Sequence, residues 1–160
     1  MYNVDQQISK PKPSWRGPIL LIATSFFFYV LACACPALIF RRSSNEIEVW
    51  SGLRVLTIGW LGLLVGQIAW YANPVIGLSL LLVLLRRWIG ALVIALVSLA
   101  IAANTLLLFY KELPADEGNV VKLRLERLGF GFFFWLASIL AIAVGAIILR
   151  RRDSVQPVSM

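Results

Sequence analysis

Apolar residues in this chain fall into long blocks rather than at alternating or helical intervals. Four blocks of about 20 residues or more cover 18–40, 59–85, 88–110 and 129–149, and no Asp, Glu, Lys or Arg lies inside any of them. About 20 apolar residues make a helix long enough to cross a hydrocarbon core about 30 Å thick. Three of the four blocks end on basic pairs or triplets: Arg41-Arg42, Arg86-Arg87 and Arg150 to Arg152. This pattern predicts an all-α, polytopic transmembrane four-helix bundle, a single membrane domain over 18–149. It is flanked by a polar tail at 1–17 and a basic, polar tail at 150–160.

The two longer connections carry weaker periodicity. In 41–58, Ile47, Trp50 and Leu53 recur at near-helical spacing between charged residues, as in a helix lying on a membrane surface. In 120–128, Val121, Leu123 and Leu125 alternate with Lys122, Arg124 and Glu126, a period of two that favours a strand. A strand without a partner beside a membrane is unfavourable, so a second surface helix is the expectation there.

The second block is 27 residues long and holds Asn73-Pro74 near its centre. Pro74 cannot donate to the carbonyl of Trp70, and it pushes Asn73 out of the helical region. Asn as an N-cap followed by Pro is a restart signal. The second span is therefore expected to break at Asn73-Pro74, with Gln67 and Asn104 as candidate polar partners of the break. The alternative is a reversal there, with 75–85 a re-entrant half-helix.

Helices in lipid approach closely only where their side chains are small. Gly59, Gly62, Gly66 and Ala69 lead to Asn73 in steps of three and four, a candidate packing face. Ala91, Ala95, Ser98, Ala102 and Thr105 form a similar stripe in the third block, and Ala137, Ala141 and Gly145 one in the fourth.

Composition agrees with this picture: 60% of the 160 residues are hydrophobic and 14% charged. The net charge of +7 comes from residues flanking the blocks, not from a basic face with interleaved aromatics, so nucleic acid is not an expected partner. With the termini and the Arg86-Arg87 turn on one side, that side holds eight Lys and Arg and the other seven. The basic residues that directly abut spans favour cytoplasmic termini.

Candidate chemistry is thin. The chain has no His, and no cofactor or metal site is implied. Cys33 and Cys35 precede Pro36, but at i and i+2 on a helix they point apart, and no cation lies beside them to favour a thiolate. Val30-Leu31-Ala32-Cys33 also resembles the lipidation box of bacterial lipoproteins, although Leu31 departs from it and the apolar run continues past the cysteine.

Trp70, Ala72, Asn73 and Pro74, followed by a Leu-rich run ending at Arg86-Arg87, resemble small uncharacterised bacterial inner-membrane proteins. The resemblance implies a multi-pass bacterial inner-membrane protein with four spans, and no activity. Three functions stay open. The first is a non-enzymatic module acting through contacts with itself or another membrane protein (assembly, stress or immunity type), with the lipid bilayer as its surroundings. The second is a small transporter or channel subunit using the break at Asn73. The third is a thiol enzyme or lipoprotein using Cys33 and Cys35.

Overall fold

A computed structural model describes residues 15–114 and 122–155. The N-terminal tail to residue 14 and the acidic part of the 111–121 connection lie outside the described residues. The order is α1 (Arg16–Ala34), β1 (Pro36–Arg42), β2 (Ile47–Ser51), α2 (Gly52–Ile58), α3 (Ala72–Leu84), α4 (Trp88–Ala103), β3 (Glu112–Pro114), β4 (Lys122–Leu128) and α5 (Phe130–Val155). Short 3-10 segments at Gly59–Val65, Ala69–Tyr71 and Asn104–Phe109 extend the helices.

Three helical stretches are long and apolar enough to cross a membrane: Arg16–Ala34, Trp88–Phe109 and Phe130–Ser154. Their outward side chains are large and apolar, among them Phe26, Phe27, Val93 and Val144, all exposed. A helix apolar on every side belongs in lipid, and the chain has the make-up of a membrane protein. Gly52–Val65 and Ala69–Leu84 are shorter apolar helices.

α5 packs between α1 and α4, and α3 packs on the far side of α4. The interfaces are made of small residues and serines, as close packing in lipid requires. Ala91, Ala95, Ser98, Ala102 and Thr105 are all buried. Gly145 lies so close to Leu21 that a Cβ there would overlap it. Each serine hydroxyl at these interfaces has a carbonyl to bond. Ser25 donates to Ser138 O (3.0 Å), Ser79 to Ala91 O (2.7 Å) and Ser98 to Ala72 O (3.1 Å).

The connections depart from the sequence expectation. A four-stranded antiparallel sheet, ordered β2-β1-β4-β3, replaces the two surface helices, and only Gly52–Ile58 of the first is helical. The first apolar block is therefore not one helix over 18–40. α1 ends at Ala34, Cys35 is extended (φ −93°, ψ 157°) as a residue before proline tends to be, and Pro36 opens β1. The alternation in 122–128 is that of a strand after all, because β1 supplies the partner: Leu38 faces Leu128, and Phe40 faces Leu125. Leu38, Phe40, Leu123 and Leu125 point inward and form a second core with Leu108 at the end of the 3-10 extension of α4. Lys122, Arg124 and Glu126 point outward.

The break in the second apolar block is also elsewhere. The chain reverses at Gly66, in the left-handed region (φ 73°), with Gly66 N–H donating to Leu63 O and Gln67 N–H to Gly62 O. That pair of bonds closes a helix on a left-handed residue. Asn73 and Pro74 are instead the second and third residues of α3, where a proline has no ladder bond to break. The glycines thus do not share one helix face. Gly59 lies against the Trp70 ring and Gly62 against the Gln67 backbone, where a Cβ would come within 2.6 and 2.7 Å. They permit a fold-back of 59–62 on 67–70 rather than a helix pair. Arg86 (φ 57°) closes α3 in the same way, with Arg87 N–H donating to Leu82 O.

The start of α1, the α3–α4 turn and the end of α5 share one end of the molecule. There the Arg86 guanidinium lies 5.5 Å from the Trp15 ring and 5.9 Å from that of Trp88. The Trp88 indole donates to Asp153 (2.6 Å). The sheet occupies the opposite end.

Two glycine substitutions should act in opposite directions. Gly66→Ala forces a side chain into the left-handed region and should destabilise by about 1–2 kcal/mol. Gly77, within α3, has open space where a Cβ would go. Gly77→Ala should therefore stabilise by about 0.5–1 kcal/mol. Unfolding in mixed micelles, followed by circular dichroism, would measure both.

Candidate functional site

Where the helices meet the sheet, a cavity of about 350 Å³ lies between α1, the 52–70 segment, the start of α3 and the first turns of α5. It exists because the second apolar block turns back at Gly66. Residues 52–65 run along the side of the site and bury none of their own side chains. They are held by few bonds. Ser51 Oγ accepts from the Arg54 N–H (3.3 Å) at the start of α2. The Trp70 indole donates to Leu56 O (2.7 Å).

At one wall, Asn73 uses its whole amide. Its Oδ1 accepts from the Tyr29 hydroxyl of α1 (3.1 Å) and from the Trp135 indole of α5 (3.0 Å). Its Nδ2 donates to Trp70 O (2.9 Å). That bond ties the Asn73 side chain to the 3-10 turn that precedes α3. Asn73 is not the N-cap of α3; Tyr71 holds that position, without a side-chain bond. One side chain thereby joins three helices.

A second polar group lies on α4. Asn104 Oδ1 accepts from the Ile68 N–H (2.9 Å), and Gln67 Nε2 donates to Asn104 O (3.4 Å). Asn104 thus serves the irregular backbone of the reversal. Gln67 and Asn104 come together as polar partners, but of Gly66–Ile68 rather than of Asn73. The next residue, Thr105, lines the cavity and is 4% exposed, and its hydroxyl has no hydrogen-bond partner among the described residues.

The rest of the lining is aromatic and aliphatic, including Trp50, Trp70, Phe132 and Trp135. Among the described residues no Asp, Glu, Lys or Arg lines it. Cys33 lines it from the last turn of α1, whereas Cys35 forms the α1–β1 corner, where its carbonyl accepts from Gly52 N–H (3.0 Å). Both thiols are free. Among the described residues no three His, Cys, Asp or Glu side chains group as metal ligands.

Tyr29, Trp135 and Thr105 carry much of the site, and sequence reasoning did not single out the first two as polar. Their signal was faint: a lone hydroxyl in Phe26-Phe27-Phe28-Tyr29 and an indole in a phenylalanine-rich turn. A scan against protein-family models and searches of curated proteins and of solved structures give no match to this chain.

Asn73→Ala removes three bonds at once. At about 0.6 kcal/mol for each such bond in a membrane bundle, the loss should be close to 2 kcal/mol. Pro74→Ala should change stability by less than about 0.5 kcal/mol, since its position needs no ladder donor. Denaturation of each variant, read by tryptophan fluorescence, separates the two residues.

Proposed function

We propose that the chain is a small, non-enzymatic protein of a bacterial inner membrane, with four passes and cytoplasmic termini, that works by contact. In this reading α3, with the 3-10 turn before it, makes the second pass. The sheet stands outside the membrane on the periplasmic side. The observation that carries the reading is that polar groups inside the bundle are occupied with one another: the interface serines bond backbone carbonyls, and Asn73 bonds Tyr29, Trp135 and Trp70. Ion- and proton-coupled paths through membranes use ionisable residues, and the apolar blocks hold no Asp, Glu, Lys or Arg.

Charge distribution supports the orientation. The described acids of the sheet are each paired with a base: Glu126 with Arg41 (2.9 Å), Glu48 with Arg54 (2.9 Å) and Glu112 with Lys122 (3.2 Å). Among the described residues the opposite end gathers Arg16, Arg86, Arg87 and Arg150 to Arg152 against one acid, Asp153. Lys and Arg next to spans favour the cytoplasmic side. The sheet, with β2 and β3 as its edge strands, is the surface through which a partner protein would be met.

Two results test this. In a Cys33→Ser, Cys35→Ser background, a membrane-impermeant maleimide on intact spheroplasts should label Ser44→Cys in the β1–β2 turn and leave Ser154→Cys unlabelled. The reverse pattern would invert the orientation. Proteoliposomes containing the protein should show no proton or small-ion flux above empty liposomes; a flux abolished by Asn73→Ala would favour a transporter instead.

A further inference from the structure

The geometry points to the cavity as a binding site for an uncharged, single-chain lipid-like molecule whose head is one hydroxyl or carbonyl oxygen, held by Thr105. Four observations bear on this.

The first is charge. Among the described residues the lining holds no Asp, Glu, Lys or Arg, so a charged head brought into it would lose hydration that those residues do not replace. A neutral head carries no such penalty.

The second is the polar inventory. The wall on the Asn73 side is already bonded internally. Thr105 differs: it lines the cavity at 4% exposure, makes no side-chain hydrogen bond among the described residues, and its oxygen is not among the unpaired polar atoms fully closed off by protein. A hydroxyl or carbonyl oxygen in the cavity can take a hydrogen bond from the Thr105 hydroxyl.

The third is size. About 350 Å³ is at the low end of small-molecule sites. It suits one chain with a compact head rather than a two-chain phospholipid.

The fourth is access. The 52–65 wall buries none of its own residues, and Leu53, Leu61, Leu63 and Leu64 are exposed. A wall that is apolar outside as well as inside, and loosely packed, is one that an apolar chain from the surrounding lipid can cross. This argument rests on the membrane placement given above, so the bilayer is the source of the ligand.

Photolabelling tests the assignment. The full chain in phospholipid nanodiscs is illuminated with a diazirine-bearing long-chain alcohol, or with the matching carboxylic acid, and adducts are mapped by mass spectrometry. The alcohol should label residues 52–73 and 105–108 several-fold more than the lipid-facing side of α5 at Val144. The acid, at a pH where it is ionised, should not. Thr105→Val, nearly the same shape without the hydrogen-bonding oxygen, should lower cavity labelling about five- to tenfold. Leu61→Phe, which fills the cavity from the loosely packed wall without touching the core, should lower it independently.

Equal labelling of the cavity and of Val144, equal labelling by alcohol and acid, or no effect of Thr105→Val would each overturn the proposal. None of those outcomes would disturb the orientation test at Ser44 and Ser154, so a failure here is distinct from a failure of the membrane placement.

Discussion

Inside a hydrocarbon layer a backbone N–H or C=O must find its partner within the protein, because no water is there to replace it. Every departure from regular helix in this chain meets that demand with a particular residue. At the reversal, Gly66 lets the chain bend left-handed so that two freed carbonyls are bonded by the next two N–H groups. Asn104 then takes the Ile68 N–H that the bend leaves over. At the start of α3, where Pro74 breaks no ladder bond, Asn73 donates from its side chain to Trp70 O in the preceding turn. The two asparagines of the apolar blocks thus both bond backbone groups, and Asn73 has an oxygen left to hold Tyr29 and Trp135.

The cavity follows from the same bend. Had 59–85 continued as one helix, it would have run alongside α1 and closed the gap beneath the sheet. Turning back at Gly66 leaves α1 and α3 apart at that end, bridged by the Tyr29–Asn73 bond and walled by the loosely packed 52–65 segment. The sheet closes the end because β1 and β4 grow directly from α1 and into α5. At that corner Gly129 and Gly131 let α5 start against the Pro36 carbonyl, where a Cβ could not fit. Those contacts tie the sheet to the helices beneath it.

Much of this was legible in the sequence, and the failures have physical causes. Block length and dibasic ends marked the apolar segments, and small residues at steps of three and four in 91–105 marked a face that is in fact buried. The sheet was not legible as a whole. Its strand β4 showed the right period, but its partner β1 lies in an apolar run continuous with α1, so no alternation announced it. Cys35-Pro36 was the available sign that the helix ends there. The break was misplaced because Asn73-Pro74 carries a strong local signal. That signal loses its force at the start of a helix, where Pro is tolerated. Gly66 was read as a packing residue since nothing local distinguishes a glycine that pairs helices from one that turns left-handed. The joining of Tyr29 and Trp135 to Asn73 spans 44 and 62 residues and has no local signature at all.

Asn73 locks α1, α3 and α5 together at the cavity wall. A double-mutant cycle between Tyr29→Phe and Asn73→Ala, with stability measured by unfolding in lipid–detergent micelles, isolates one arm of that lock. A coupling energy of about 0.6–1.7 kcal/mol, the range found for hydrogen bonds between membrane helices, is the predicted result. Additive effects of the two substitutions would contradict it: Asn73 would then join α3 to α5 alone, and α1 would be held by packing and the Ser25 bond.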